Sequence, residues 1–140
     1  MKNYSGKDGR QLDFKDGFGV LKKFLFYWFP ILIYCLLIFI QSSYPSPESV
    51  PDWPYIDKLL HFTAYALLGA LFLRAFRTLR IKNNLKLVMI LSILLSSLYG
   101  ISDEIHQYFV PYRNADFMDA LADMLGSVCG VYVYQLLSSK

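Results

Sequence analysis

Charge is what this sequence is shortest of. Only 18% of its 140 residues are Asp, Glu, Lys or Arg, against about 25% in an ordinary soluble domain. That scarcity, joined to 17% aromatic residues, excludes an intrinsically disordered chain. Two cysteines, Cys35 and Cys129, exclude a disulfide scaffold; both fall inside apolar stretches and read as packing residues. There is no H-E-x-x-H zinc motif, and no Ser, Thr or Cys stands out as a nucleophile. No A-x-A cleavage site follows the first apolar run, and the segment before it is long for a signal peptide. That run therefore reads as an anchor that stays in place. The length allows one domain.

What the chain has in quantity is apolar residues, 55% of the total, and they are gathered into four runs. Residues 24–40 contain no charge. Residues 59–73 are interrupted by His61, residues 85–101 by Lys86 near the start, and residues 117–137 by Asp119 and Asp123 in the first two turns. A helix that spans a bilayer needs about 20 residues, with a range of about 17–25. Each run reaches that length with a turn of polar flank. A water-soluble bundle would require a polar side on the first run, which has none. Pro30 is tolerated in such a helix because neighbouring groups satisfy the freed carbonyl. The stretch 44–54, YPSPESVPDWP, is too rich in proline to be helical; it reads as an exposed loop with Tyr44, Trp53 and Tyr55 at the membrane interface. The expected fold is an all-α membrane protein with four transmembrane helices. Residues 1–23 form a cytoplasmic N-terminal segment and residues 24–137 a single membrane domain.

The charges sort by side. Lys2, Lys7, Arg10, Lys15, Lys22 and Lys23 precede the first span; Arg74, Arg77, Arg80, Lys82 and Lys86 fill the second connection, and Lys140 closes the chain. One side thus holds 12 bases and 3 acids, the other 2 bases and 8 acids. The overall +3 conceals a net +9 facing a net −6. By the positive-inside rule the basic side is the cytoplasm and both termini lie inside. Topology accounts for the basic connection, so nucleic acid is not an expected partner.

The remaining polar residues line up on helix faces at the expected outer ends. Asp57, His61, Tyr65 and Gly69 recur every four residues, as do Ser92, Ser96, Gly100 and Glu104. Continuing the third helix outward brings Asp103 and Gln107 to the same edge, with His106 alongside. Asp116, Asp119, Asp123, Gly126 and Gly130 follow spacings of three and four on the fourth. Gly126 and Gly130 make a small-residue seam for close helix packing, serving either this bundle or an oligomer. Packing the small faces together converges the polar faces on a cleft open to the outside. Ionisable residues inside a membrane are expensive and mark function by default, although Asp57 at a helix start, His61 across helices and an Arg113–Asp116 pair also have structural readings. Asp119 and Asp123 require partners, with Arg113, Lys58, His61 or a bound divalent cation available.

These residues resemble the VanZ-like family. The carriers are Tyr99-Gly-Ile-Ser-Asp-Glu-Ile-His-Gln-Tyr-Phe-Val-Pro-Tyr-Arg113, then Asp116, Asp119 and Ala122-Asp-Met-Leu-Gly126, preceded by Asp57-Lys58-Leu-Leu-His61-Phe-x-x-Tyr65. The likeness runs over about residues 25–137, although that family often carries Gly in place of Tyr112 and Asn in place of Asp123. It implies an integral protein of the bacterial cytoplasmic membrane, from a family whose founding member is associated with teicoplanin resistance. The matched positions, Asp57, Lys58, His61, Asp103, Glu104, His106, Gln107, Arg113, Asp119 and Asp123, are the candidate ligand-binding residues. The expected function is an outward polar site, beside the lipid bilayer, for an amphiphilic or lipid-linked ligand: a glycopeptide antibiotic or a cell-wall lipid precursor. The alternative is a membrane enzyme acting on a lipid headgroup or polyprenyl phosphate. It would use Glu104, His106 or Asp119 as catalytic groups and a divalent cation held by His61, Glu104, Asp119 and Asp123.

Overall fold

A computed structural model describes residues 8–44, 55–111, 113 and 115–139, with side chains from residue 17 onward. Most of the expected proline-rich loop, Tyr112, and the basic residues Lys2, Lys7 and Lys140 lie outside the described residues, as do the side chains of Arg10 and Lys15. Five α-helices follow in order: α1 (Asp8–Tyr27), α2 (Phe29–Ser42), α3 (Ile56–Phe76), α4 (Leu85–Tyr108) and α5 (Phe117–Ser138), with a 3₁₀ turn at Arg80–Asn83 before α4. No strand occurs among the described residues.

Among the described residues four segments are long and apolar enough to cross a membrane: Gly17–Ser42, Ile56–Phe76, Leu85–Tyr108 and Phe117–Ser138. The first is broken at Trp28. Pro30 occupies the opening turn of α2; it has no N–H to give, and its ring would strike the carbonyl four residues back. The chain keeps contact across the break, because the Trp28 N–H donates to Phe24 O at 2.9 Å and the Trp28 carbonyl accepts from Ile31 at 3.1 Å. The first span is therefore two helices in succession, interrupted at the single residue Trp28.

Burial follows the logic of a protein solvated by lipid. Leu32, Ile33, Leu36, Leu37, Phe39 and Ile40 on α2 are exposed, and comparable apolar residues face outward on α3, α4 and α5. Buried instead are Ser92, Ser96, Ser127, Asp103, Glu104, Asp119 and Asp123 beside Tyr65, Leu68, Leu73, Val88 and Val131. In hydrocarbon an exposed Leu loses nothing, so small residues and interhelical hydrogen bonds hold the bundle.

The closest pair is α3 with α5. A Cβ added at Gly126 or Gly130 would overlap the carbonyl groups of Phe62 and Ala66, and one at Gly69 would lie 2.8 Å from Ser127 O. The glycine seam is thus taken up by α3 of the same chain, and any association between copies through Gly126 and Gly130 would have to displace that helix. Below it Ser127 donates to Ser96 Oγ at 2.7 Å, and Ser96 lies 3.3 Å from Tyr65 O. α2 packs more lightly, held by tyrosine hydroxyls donating to backbone carbonyls: Tyr34 to Ala64 at 3.1 Å and Tyr99 to Cys35 at 2.6 Å. Cys35 is half-buried in this contact, whereas Cys129 is exposed on α5 and is not the packing residue the sequence suggests. At the opposite end from the carboxylates, Arg77 reaches Ser138 and Gln135 on α5, and Arg74 covers Phe26 and Tyr27.

Candidate functional site

The beginnings of α3 and α5 and the end of α4 bring their polar faces together because α4 does continue past residue 101, as the four-residue ladder requires, and stops at Tyr108. Three groupings result.

The first is built on Lys58. Its ammonium contacts Asp116 at 2.7 Å, Asp119 at 3.0 Å and Asp57 at 3.1 Å. Asp119 is buried, while Asp57 and Asp116 reach solvent. Asp116 caps α5, its Oδ1 accepting from the Met118 N–H at 2.9 Å. The hydrogen bond from Lys58, aided by that cap, holds the Asp116 carboxyl below the usual carboxylate range. A carboxyl whose folded pKa is depressed contributes stability that is present above its unfolded pKa and lost as pH falls through the folded one. Asp116→Asn keeps a capping oxygen and removes the titration. Melting temperature followed in detergent from about pH 5 down to pH 2 is therefore expected to fall less steeply in Asp116→Asn than in the parent; parallel profiles would contradict the assignment.

The second grouping is His61, Glu104 and Asp123, one residue from each of α3, α4 and α5. His61 Nδ1 lies 3.0 Å from Asp123 Oδ1 and 3.8 Å from Glu104 Oε1. Glu104 is further fixed by the Asp116 N–H, which donates to its Oε2 at 3.0 Å. The His61 ring stacks with that of Tyr65 one turn along α3, 6.4 Å away and nearly parallel.

The third lies toward α2. Gln107 Nε2 donates to Asp103 Oδ2 at 3.2 Å and to Ser42 Oγ at 3.3 Å. Arg113 donates to Gln41 O at 3.2 Å. These residues, with His61 and Tyr65, line a small cavity of about 40 Å³, room for two or three waters.

Of the residues singled out in sequence, the structure collects Asp57, Lys58 and Asp119 in one network, His61, Glu104 and Asp123 in another, and Asp103, Gln107 and Arg113 in the third. His106 stands apart: its Nε2 is 3.0 Å from Ser43 Oγ and its ring stacks on Phe39. Two positions along a helix turn a side chain through roughly 200°, so His106 and Glu104 cannot share a site. Asp119, expected among the metal ligands, is engaged by Lys58, which also contacts Asp116. Lys58 itself has three carboxylates around it.

Sequence reasoning missed Ser42 and Ser127; Tyr65, already placed on the polar face of α3, buries a hydroxyl that makes no hydrogen bond among the described residues. It also missed an apolar groove of about 380 Å³ between α4 and α5, lined by Ile101, Ile105, Tyr108, Phe109, Ala115, Phe117 and Ala120, with Glu104 and Asp116 in its wall. Ser127 sits one position past Gly126 and four past Asp123, a spacing that could have flagged it. The groove carries no such signal, since it needs the loop after α4 to turn back.

Neither the curated proteins nor the solved structures contain a match. A model of the VanZ/LLP1 family matches residues 18–138. That range covers all four candidate spans but the first residue of one, together with every side chain of the three polar groupings. The chain belongs to the VanZ/LLP1 family.

Proposed function

We propose that this end of the bundle binds an amphiphile at the outer face of a bacterial cytoplasmic membrane. The observation that carries the reading is the apolar groove opening directly beside the carboxylates, with Glu104 and Asp116 belonging to both. A lipid tail would lie in the groove, and its polar head would meet the acids. The orientation, with both termini inside, is supported by Arg74, Arg77, Arg80 and Lys82 at the opposite end. Since Lys58 is occupied and Glu104, Asp123 and Asp103 dominate the remaining charge, the head favoured here carries amines or a cation. A lipid-tailed glycopeptide antibiotic fits that description; a lipid-linked wall precursor, whose head carries phosphates, fits it less well.

Expression in a susceptible host is expected to raise tolerance to teicoplanin more than to vancomycin, which lacks the lipid tail, and Ile105→Trp, which fills the groove, should abolish the difference. Unchanged susceptibility to both, with the protein demonstrated in the membrane, would refute the reading. A specific contact supports a second reading as an enzyme on lipid headgroups or polyprenyl phosphates. A carboxylate orients His61 through Nδ1, and its Nε2 makes no hydrogen bond among the described residues, the arrangement of a general base. Phosphate release from a polyprenyl phosphate in vesicles of the same preparation, lost in His61→Ala, would replace the binding reading with this one.

A further inference from the structure

We propose that His61, Glu104 and Asp123 form a divalent-cation site of the zinc or manganese class. One ligand atom from each lies within 4.8 Å of the other two, so an ion at their centre is no more than about 2.8 Å from any of them. Contraction by about 0.5–0.8 Å brings that to about 2.0–2.3 Å, the range of zinc bound to imidazole and carboxylate.

Charge makes the same demand. Glu104 is 7% exposed and Asp123 fully buried. Among the described residues the base in ion-pair contact with them is His61, while Lys58 is held by Asp57, Asp116 and Asp119. Two buried carboxylates sharing one imidazole leave negative charge uncompensated, which is costly in a low-dielectric interior. A dication balances both with the imidazole neutral.

An independent observation points to a ligand at this place. Asp123 Oδ2 makes no hydrogen bond among the described residues. It faces α4, 2.7 Å from where a Cβ on Gly100 would sit, one turn from Glu104. A buried carboxylate oxygen left unpaired in native structure calls for a partner such as an ion. Part of the outer shell is in place as well: the Asp116 N–H holds Glu104 Oε2, while Oε1, 3.8 Å from His61 Nδ1, accepts a long contact of 3.5 Å from Gln107 Nε2 that an ion would replace. The donor set decides the class. An imidazole nitrogen with two carboxylate oxygens suits zinc or manganese better than calcium, which takes oxygen throughout, or magnesium, which keeps its waters.

The site stands apart from the amphiphile reading, because the ion is measured on protein stripped of bound lipid-linked material. Protein purified into lipid nanodiscs is treated with chelator and dialysed against Zn²⁺ or Mn²⁺ alone, and bound metal is counted by mass spectrometry. The parent is expected to hold about one ion per chain, with affinity lowered at least about tenfold in Asp123→Asn and in His61→Ala. Bound Mn²⁺ in the parent should carry a nitrogen coupling in its electron spin-echo spectrum, lost in His61→Ala. The spectrum decides the matter even where a variant does not fold. A parent that binds neither metal, or binds Mn²⁺ without nitrogen coupling, overturns the proposal.

Discussion

Replacing His61 by Ala is expected to destabilise the protein by about 3–5 kcal/mol, the cost of leaving a buried charge without its partner. The imidazole lies 3.0 Å from Asp123 and 3.8 Å from Glu104, both buried, so its removal strands two carboxylates at once. Asp123→Ala alone should cost less, because a neutral imidazole can remain beside Glu104. The combination is the telling variant. His61→Ala with Asp123→Ala removes the ion and its partner together and should recover about half of the loss caused by His61→Ala, since replacing both members of a buried pair is often close to neutral. Unfolding of the metal-free protein by sodium dodecyl sulfate, followed by fluorescence of Trp28 between α1 and α2, gives all the corners of this cycle. A double variant as unstable as the sum of the singles would mean that His61 stabilises the bundle by packing alone.

That experiment separates what the sequence alone makes legible from what it does not. His61 and Asp123 can be placed on polar faces by counting in fours, because each helix is regular and its polar residues are few. Their mutual contact follows once Gly69, Gly126 and Gly130 are recognised as the surfaces on which α3 and α5 meet. Helix periodicity likewise carries α4 out to Gln107. The choice among partners is not legible in this way. Lys58 could as well have faced a ligand; it takes Asp119 and Asp116 because α5 begins beside it, which depends on where the loop after Tyr108 returns. His106 is adjacent in sequence to the polar face of α4 and still points at Phe39, a direction set by helix phase. Ser42 is invisible for a different reason: α2 is apolar on every side, so nothing in its pattern says which edge touches Gln107. The break at Trp28 is encoded by Pro30, but a membrane helix can absorb a proline with or without breaking.

Substituting the glycines of α5 should have a comparably large effect, with a sign opposite to that of the glycines in α1. At Gly126 and Gly130 an added methyl would overlap the backbone of Phe62 and Ala66. Backbone cannot rotate aside as a side chain can, so α3 and α5 must separate along their length. Overpacking of a well-fitted interior costs about 1–3 kcal/mol and occasionally more; with carbonyl groups as the obstacle, Gly130→Ala belongs at or beyond about 3 kcal/mol and Gly130→Val should prevent assembly. At Gly17 and Gly19 nothing among the described residues lies within 4 Å of an added Cβ. Alanine there meets no obstacle and removes the flexibility penalty of a helical glycine, worth about 0.5–1 kcal/mol, so Gly19→Ala should be neutral or stabilising. The two outcomes test the architecture itself. Separation of α3 from α5 would also part His61 from Asp123, so Gly130→Ala is expected to lose metal binding as well as stability, while Gly19→Ala keeps both. Equal melting temperatures for Gly130→Ala and Gly19→Ala would show that α3 and α5 do not meet along this seam, and the grouping of His61, Glu104 and Asp123 would fall with it.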